Sequence, residues 1–316
     1  MTGRPPAREE ACSTLHILIL GAAAGGGFPQ WNCDCPGCRA ARSGEAVPSG
    51  QVSLALSADG GNWVLINASP DILSQIAETP ALHPRGLRQS PIRAVVLTNG
   101  EIDAVAGLLS LREGSPFELW ASDTVHRTLS ENSIFNVLRA DLVPRRVLDF
   151  GQAFAPALPD GSPLGLTIRP FAVPGKPAWY LEKHKLAEAG DTLALEITSG
   201  TARAYVFTAC AEVTEEIRDR IRGAEMVFFD GTLWRDDEMI RAGLAQKTGA
   251  GMGHISVSGP DGAMARLADL GIRRKVFVHI NNSNPILLPH SPERAEAEAA
   301  GWEIGRKGDR YTLCSN

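Results

Sequence analysis

The sequence predicts an α/β protein in which two mixed β-sheets are covered by helices and built as one domain. Three observations carry this. Short apolar, β-branched runs recur along the chain, first pairing as hairpins and then alternating with helical stretches in each half. No low-complexity linker divides the 316 residues, although length alone suggests about two domains. The composition, 44% apolar and 21% charged, is near the globular average. That excludes a disordered chain, a coiled coil and a collagen-like rod, and this length can bury a large core without disulfides.

The elements follow in order. Residues 1–13 are polar, carry Pro5, Pro6, Glu9 and Glu10, and lack the apolar core of a signal peptide. They are expected to be a disordered extension ahead of a single domain at 14–316. HILILGAAAGGG reads as a buried strand entering a glycine-rich turn. VSLAL and WVLINA, joined by DGGN, predict a hairpin, since those turn residues tolerate positive φ. SPDILSQIAETPAL predicts a helix starting near Ser69 or Asp71 and stopping at Pro80. IRAVVLTNG is a β-branched strand, AVAGLLSLREG a helix closed by Gly114, and FELWAS and LTIRPFAV are further strands. LALEITSG and TARAYVFTA form a second hairpin. EVTEEIRDRIRG is a helix with Val213, Ile217 and Ile221 on one face. MVFFDG is a buried strand delivering Asp230, DGAMARLADLG a helix and KVFVHIN a strand. SPERAEAEAAG is a helix with a Ser N-cap and Pro at its first position, and WEIGRKGDRYTL closes as a strand pair.

Charge narrows the function. Lys+Arg 31 against Asp+Glu 36 gives a formal net charge of −5, with no basic field for a phosphate backbone. Only 6% of residues are aromatic, which argues against a base-stacking surface, so nucleic acid is not expected as a partner. No stretch reaches the ~20 apolar residues of a membrane span, so no membrane is expected either. Six cysteines without a secretory leader predict a reduced, cytoplasmic protein in which clustered cysteines are metal ligands.

Several motifs carry chemistry. Cys33, Cys35 and Cys38 lie in a tight turn that can put three sulfurs on one Zn²⁺. No fourth ligand is visible locally, and the site is expected to be structural. Asn99, Glu101 and Asp103 are polar positions where a strand ends, though alone this stretch reads more readily as a solvated loop. Asp230, between a buried strand and Gly231, is a turn former or a ligand. His254 and His279 sit in glycine- and asparagine-rich loops, and with Asp103 and Asp230 they make an iron or other hard-metal site. His16, His83, His126, His184 and His290 lack such neighbours and are read as structural or exposed. The glycine-rich residues 21–27 lack nucleotide-binding spacings; their expected use is close backbone approach to a site.

Together GAAAGGGFPQWNCDCPGC, INASPDI, TNGEIDAVAGLLSLREGSPF, FFDGTLWRDDEM, KTGAGMGHI and FVHINNSNPIL resemble the PqqB family of pyrroloquinoline quinone (PQQ) biosynthesis, within the metallo-β-lactamase superfamily. The resemblance covers nearly the whole chain. It implies a four-layer αββα sandwich with two mixed β-sheets and a metal site at the sheet edges. The superfamily's HxHxDH loop aligns with Asn99, Glu101, Asp103 and Ala104, so the first two histidines are absent and Ala104 replaces the last. Asp230 matches the bridging aspartate, His279 the late strand-end histidine, and His254 the Gly-His of related nucleases and phosphodiesterases. Cys210 stands near the place of a further histidine. The implied site holds Fe²⁺ on Asp103, Asp230 and His279 with His254 adjacent, and catalysis falls on Asp103, His254 and His279. The alanine is expected to weaken it, leaving a vacancy for water, and Glu101, one pleat from Asp103, is a candidate substitute ligand.

The family implies iron- and oxygen-dependent hydroxylation of the tyrosine ring of a cross-linked Glu–Tyr precursor. A soluble carrier for PQQ or its precursor is the alternative that Ala104 raises. Metal-dependent hydrolysis is a third reading, against which the missing His pair argues. The implied partners are PQQ or its precursor and other PQQ-biosynthesis proteins; a homodimer is left open. A polycarboxylated ligand needs locally concentrated cations in an acidic protein. It is expected over a mouth formed by residues 21–27, Trp31 and the Asp103 loop, with Arg85, Arg88, Lys176 and Lys247 as candidate partners. Asn282 stands where some relatives carry the fourth zinc ligand, so that position is expected to be weak, or filled by water or another group.

Overall fold

Side chains alternate in direction along a strand, and β-strands here commonly bury both faces. In β1 (Thr14–Gly21), Leu15, Ile17 and Ile19 enter one core while Leu18 and Leu20 enter another. The computed structural model describes residues 13–314, so residues 1–12 of the expected extension lie outside the described residues. β1 pairs antiparallel with β2 (Ser53–Ser57), which turns through residues 59–62 into antiparallel β3 (Trp63–Ile66). β4 (Ile92–Val96), β5 (Glu118–Ala121) and β6 (Arg145–Val147) then add in parallel. The second sheet begins as an antiparallel meander of β7 (Thr167–Ala172), β8 (Leu193–Ser199) and β9 (Ala202–Phe207). It continues in parallel through β10 (Met226–Asp230), β11 (Arg274–Val278) and β12 (Trp302–Ile304). Finally β13 (Arg310–Cys314) returns to pair with β1, completing a seven-stranded sheet that faces the six-stranded one.

The expected pairing of the two closing strands is therefore a misreading. Trp302 and Ile304 pack behind the second sheet, whereas Tyr311 and Leu313 enter the core between the sheets. Opposite destinations for the two apolar pairs separate the strands.

Between the sheets lies a core that includes Ile17, Val96, Leu195, Phe228 and Val276. α1 (Pro36–Ser43) packs beside it on Phe28. α2 (Ile72–Ala77), α3 (Ile102–Val105) and α4 (Asp123–Glu131) cover the outer face of the first sheet. Of α5 (Glu215–Ile221), α6 (Glu238–Arg241), α7 (Ala263–Arg266) and α8 (Pro292–Ala299), the first and last two cover the second. The layers are αββα. No helix among the described residues is long and apolar enough to cross a membrane.

Two local corrections bear on the site. α2 stops at Ala77, ahead of a 3₁₀ turn at Pro80–Leu82. β4 ends at Val96, and Glu101 precedes α3 in an extended conformation, so residues 99–103 are loop and helix start rather than a continuing strand. The expected helix beyond them becomes a 3₁₀ turn, Ala106–Leu111. There Gly107 presses on backbone: a Cβ would lie 2.1 Å from the Ser69 carbonyl oxygen. Parallel strands β4, β10 and β11 direct their carboxyl ends, and the loops that follow, to one edge of the sandwich.

Candidate metal centre

Four ionisable groups meet at that edge. Asp103 lies in the first turn of α3, Asp230 ends β10, His279 follows β11, and His254 follows a 3₁₀ turn closed by Gly253. His279 adopts φ 54°, a left-handed conformation that turns its ring back into the site. Its Nε2 lies 3.0 Å from Asp103 Oδ2, and its Nδ1 lies 2.8 Å from the Thr232 hydroxyl. His254 Nδ1 donates to Asp230 Oδ2 at 2.6 Å. The other Asp230 oxygen accepts the Thr232 hydroxyl at 2.6 Å and the Thr232 backbone N–H at 3.0 Å.

These bonds decide protonation. With its hydrogen given to Asp230, the Thr232 oxygen accepts N–H from His279 Nδ1. His279 Nε2 then faces the Asp103 carboxylate and needs a shared cation: a proton, or a metal ion. Burial would lower the His279 pKa, but the Asp103 and Asp230 carboxylates push it up to about 10. Burial would likewise raise both carboxyls, yet His279 holds Asp103, and His254 with His279 holds Asp230, below the usual carboxylate range. Ligand atoms of Asp230, His254 and His279 all fall within 4.8 Å of one another. A nitrogen–oxygen donor set of this kind fits a divalent cation.

The vacancy expected beside Asp103 is closed by packing. Ala104 is buried in the apolar cluster with Val105 and Leu108 and does not line the cavity. Glu101 is also corrected as a substitute ligand: its carboxylate accepts from Lys176 Nζ at 2.9 Å and from the Trp179 N–H at 3.1 Å. Asn99 accepts the Glu101 N–H at 3.0 Å. Cys210 donates its N–H to Asp230 at 3.0 Å, but its thiol turns to the Glu212 carbonyl. Burial and the Asp230 charge push that thiol up to about 12.

A second cluster lies on the same edge. The sulfurs of Cys33, Cys35 and Cys38 lie within 4.8 Å of one another, and Asn282 Nδ2 approaches them at 3.2, 3.5 and 3.3 Å. Asn282 thus covers the fourth side, where a weak position, water or another group was expected. Burial would raise the Cys33 thiol, but hydrogen bonds from Cys35, Cys38 and Asn282 hold it below its ordinary value. Burial and neighbouring sulfurs push Cys35 up to about 11. Three crowded thiols that cannot all ionise unaided suit a soft cation such as zinc.

Above the first cluster opens a cavity of about 550 Å³, walled by Gly25, Asp103, Lys176, Lys247, His254 and His279 among others. The glycine run serves close approach: a Cβ on Gly25 would sit 3.5 Å from Asp103 Oδ2. Arg85 and Arg88 are not at this mouth. Arg85 lies against Gly60 and Gly61 at the β2–β3 turn, and Arg88 bonds the Glu113 carbonyl. Both follow α2, whose chain leads away from the carboxyl ends of the strands. Trp31 stands in solvent, 86% exposed and off the cavity wall. Residue spacing gave no sign of Thr232 or Glu182, which join the site through long-range contacts; the Asp-Gly-Thr run after β10 was the one local hint for Thr232.

The family profile described as "Beta-lactamase superfamily domain" matches residues 62–280. The coenzyme PQQ synthesis protein B of Rhodopseudomonas palustris (strain ATCC BAA-98 / CGA009) is 57% identical over 307 residues, covering 95% of this chain and 100% of that protein. That of Gluconobacter oxydans (strain 621H) is 50% identical, covering 95% and 99%. The crystal structure of Zn(2+)-bound PqqB from Methylobacterium extorquens matches with a TM-score of 0.89 and 47% identity, over 94% of this chain and 99% of that one. A diphosphatase from the PhnP family shares the fold, at a TM-score of 0.66 and 20% identity, over 96% and 100%.

Proposed function

Because this chain belongs to the PqqB family of the β-lactamase superfamily, we propose that it acts in coenzyme PQQ synthesis as an iron- and oxygen-dependent hydroxylase. Its substrate in this reading is the tyrosine ring of a cross-linked Glu–Tyr precursor. The observation that carries the reading is the donor set at the cavity: two imidazoles with carboxylates, and Asn99 and Glu101 where a first histidine pair would stand. Two histidines and a carboxylate with open positions suit non-haem iron, whereas two-metal hydrolysis needs a second set of ligands. Asp230, His254 and His279 would hold the ion, with Asp103 set against the His279 ring, and iron bound there would supply one-electron chemistry with dioxygen.

The chain's own residues do the rest. Thr232 and Asp103 fix the His279 ring from both nitrogens. Asp230 fixes His254 through Nδ1, and the ring lines the cavity. Lys176 and Lys247 offer ammonium groups to substrate carboxylates, and Trp179 and Ile102 add apolar surface to the cavity wall. The three-sulfur cluster takes the zinc, in keeping with the zinc-bound relative, and serves structure.

The test is oxygen uptake by the iron-loaded protein with the cross-linked precursor, read together with product mass. Ring hydroxylation that tracks oxygen uptake and is lost in His279→Ala is expected. Precursor binding without oxygen uptake, with zinc as the sole metal, would instead establish the carrier reading.

A further inference from the structure

We propose that Lys176 and Lys247 form a carboxylate-exchange subsite, in which the Glu182 side chain occupies the place of a ligand carboxylate and gives it up on binding. This rests on the reading that the cavity receives a carboxylated substrate, and it names how that substrate is admitted.

Four charges run along one wall of the cavity in the order Glu101, Lys176, Glu182, Lys247. They come from three segments: the loop after β4, the loop after β7 and the loop after α6. Lys176 is built in. Its stem crosses Gly253, where a Cβ would lie 3.0 Å from Lys176 Cγ, so its ammonium sits beside the His254 loop. Glu101 is built in as well, since the Trp179 N–H and Lys176 Nζ both donate to it.

Glu182 is different. Its partners among the described residues are the two ammonium groups and nothing else. Lys176 Nζ stands 2.8 Å from Oε1, yet that buried oxygen receives no aligned hydrogen bond. No backbone N–H or hydroxyl among the described residues anchors it. One carboxylate thus bridges two ammonium groups, held by its ion pairs with them alone.

A ligand carboxylate carries the same charge and can take the same place. The exchange leaves the charge of the cavity unchanged, so it avoids the penalty of adding an anion beside Asp103 and Asp230. The displaced Glu182 has water to go to, because residues 183 and 184 next to it are exposed. Trp179, 62% exposed on the same wall, offers a flat apolar face to a planar ligand. The chemistry selected is an aromatic or otherwise planar compound carrying at least one carboxylate.

The experiment is calorimetric titration of the full chain, metals as isolated, with benzene-1,3,5-tricarboxylate, using its trimethyl ester as the uncharged control. Glu182→Gln, and independently Glu182→Ala, should bind the tricarboxylate about tenfold more tightly, with the ester unaffected. Lys176→Met and Lys247→Met should each weaken it by about tenfold or more. Unchanged or weaker binding in both Glu182 variants would overturn the exchange and make Glu182 a strut. Indifference to both lysine substitutions would overturn the subsite. Because the titration needs no turnover, the readings fail separately. Intact exchange without oxygen uptake removes only the hydroxylase, and intact hydroxylation with unchanged binding removes only the exchange.

Discussion

One hydroxyl, that of Thr232, touches Asp230, His254 and His279, at 2.6, 3.1 and 2.8 Å. It orients both rings without offering a strong ligand of its own. Thr232→Val should lower affinity for the ion at this centre by about 10- to 100-fold, read by metal analysis after dialysis, and Thr232→Ser should retain it. Metal retention by the valine variant would show that the rings are held by packing alone. Asp59 gives a prediction in pH. Burial would raise its carboxyl, but the Asn62 and Gly61 amides hold it down at about 2, below its ordinary 3.8. A depressed native value means that the carboxylate stabilises the fold above the unfolded value and loses that effect as pH falls toward the native one. The stability difference between wild type and Asp59→Asn should therefore be full at pH 5 and vanish near pH 2, measured by urea denaturation. A difference independent of pH would rule this out. Asp103, His254 and His279 were legible because each interrupts a strand or glycine pattern with a polar side chain. Arg85 and Arg88 were misplaced because a loop's composition does not say at which end of a sheet it emerges.

Among the elements, strands were more legible than their ends. Continuous apolar runs locate β1 or β10 from sequence, but which strand becomes whose neighbour depends on which core each face meets, as Trp302 and Tyr311 show. The helix beyond Asp103 was obscured for another reason. Gly107 lies against the Ala68 and Ser69 carbonyls, and this backbone contact tightens the segment into a 3₁₀ turn. Gly107→Ala should cost about 1–3 kcal/mol or more, seen as a lowered thermal midpoint, because backbone cannot rotate aside as a side chain can. An unaltered midpoint would mean that α3 shifts freely. α4 was not expected at all, yet its N-cap is conventional. Ser122 Oγ accepts the Val125 N–H at 3.1 Å and donates to the Gly190 carbonyl at 2.7 Å. Ser122→Ala should cost about 1–2 kcal/mol in chemical denaturation.

At the scale of the whole molecule, the cysteine turn and Asn282 join segments 247 residues apart. The same loop, residues 279–284, carries His279. Zinc bound at the three sulfurs should be released by a chelator or by Cys35→Ser, with a lowered thermal midpoint. Full zinc retention in Cys35→Ser would remove the three-sulfur assignment. Two mixed sheets with helices outside were legible because hairpins and βα units have different periodicities. The return of the last strand to the first was not, since no local pattern records a partner so distant.

That return has a consequence for synthesis. Among the described strands β1 leaves the ribosome first, and β2 can join it at once, but its other edge is reserved for residues 310–314. At about 5–20 residues per second, the wait lasts tens of seconds. Throughout it the nascent chain displays LHILIL with a row of unpaired amides and carbonyls, an edge that other strands can join. Chains stopped short of Arg310 never close it, and they are expected to associate with one another or occupy chaperones even though every residue of the metal centre has already been made.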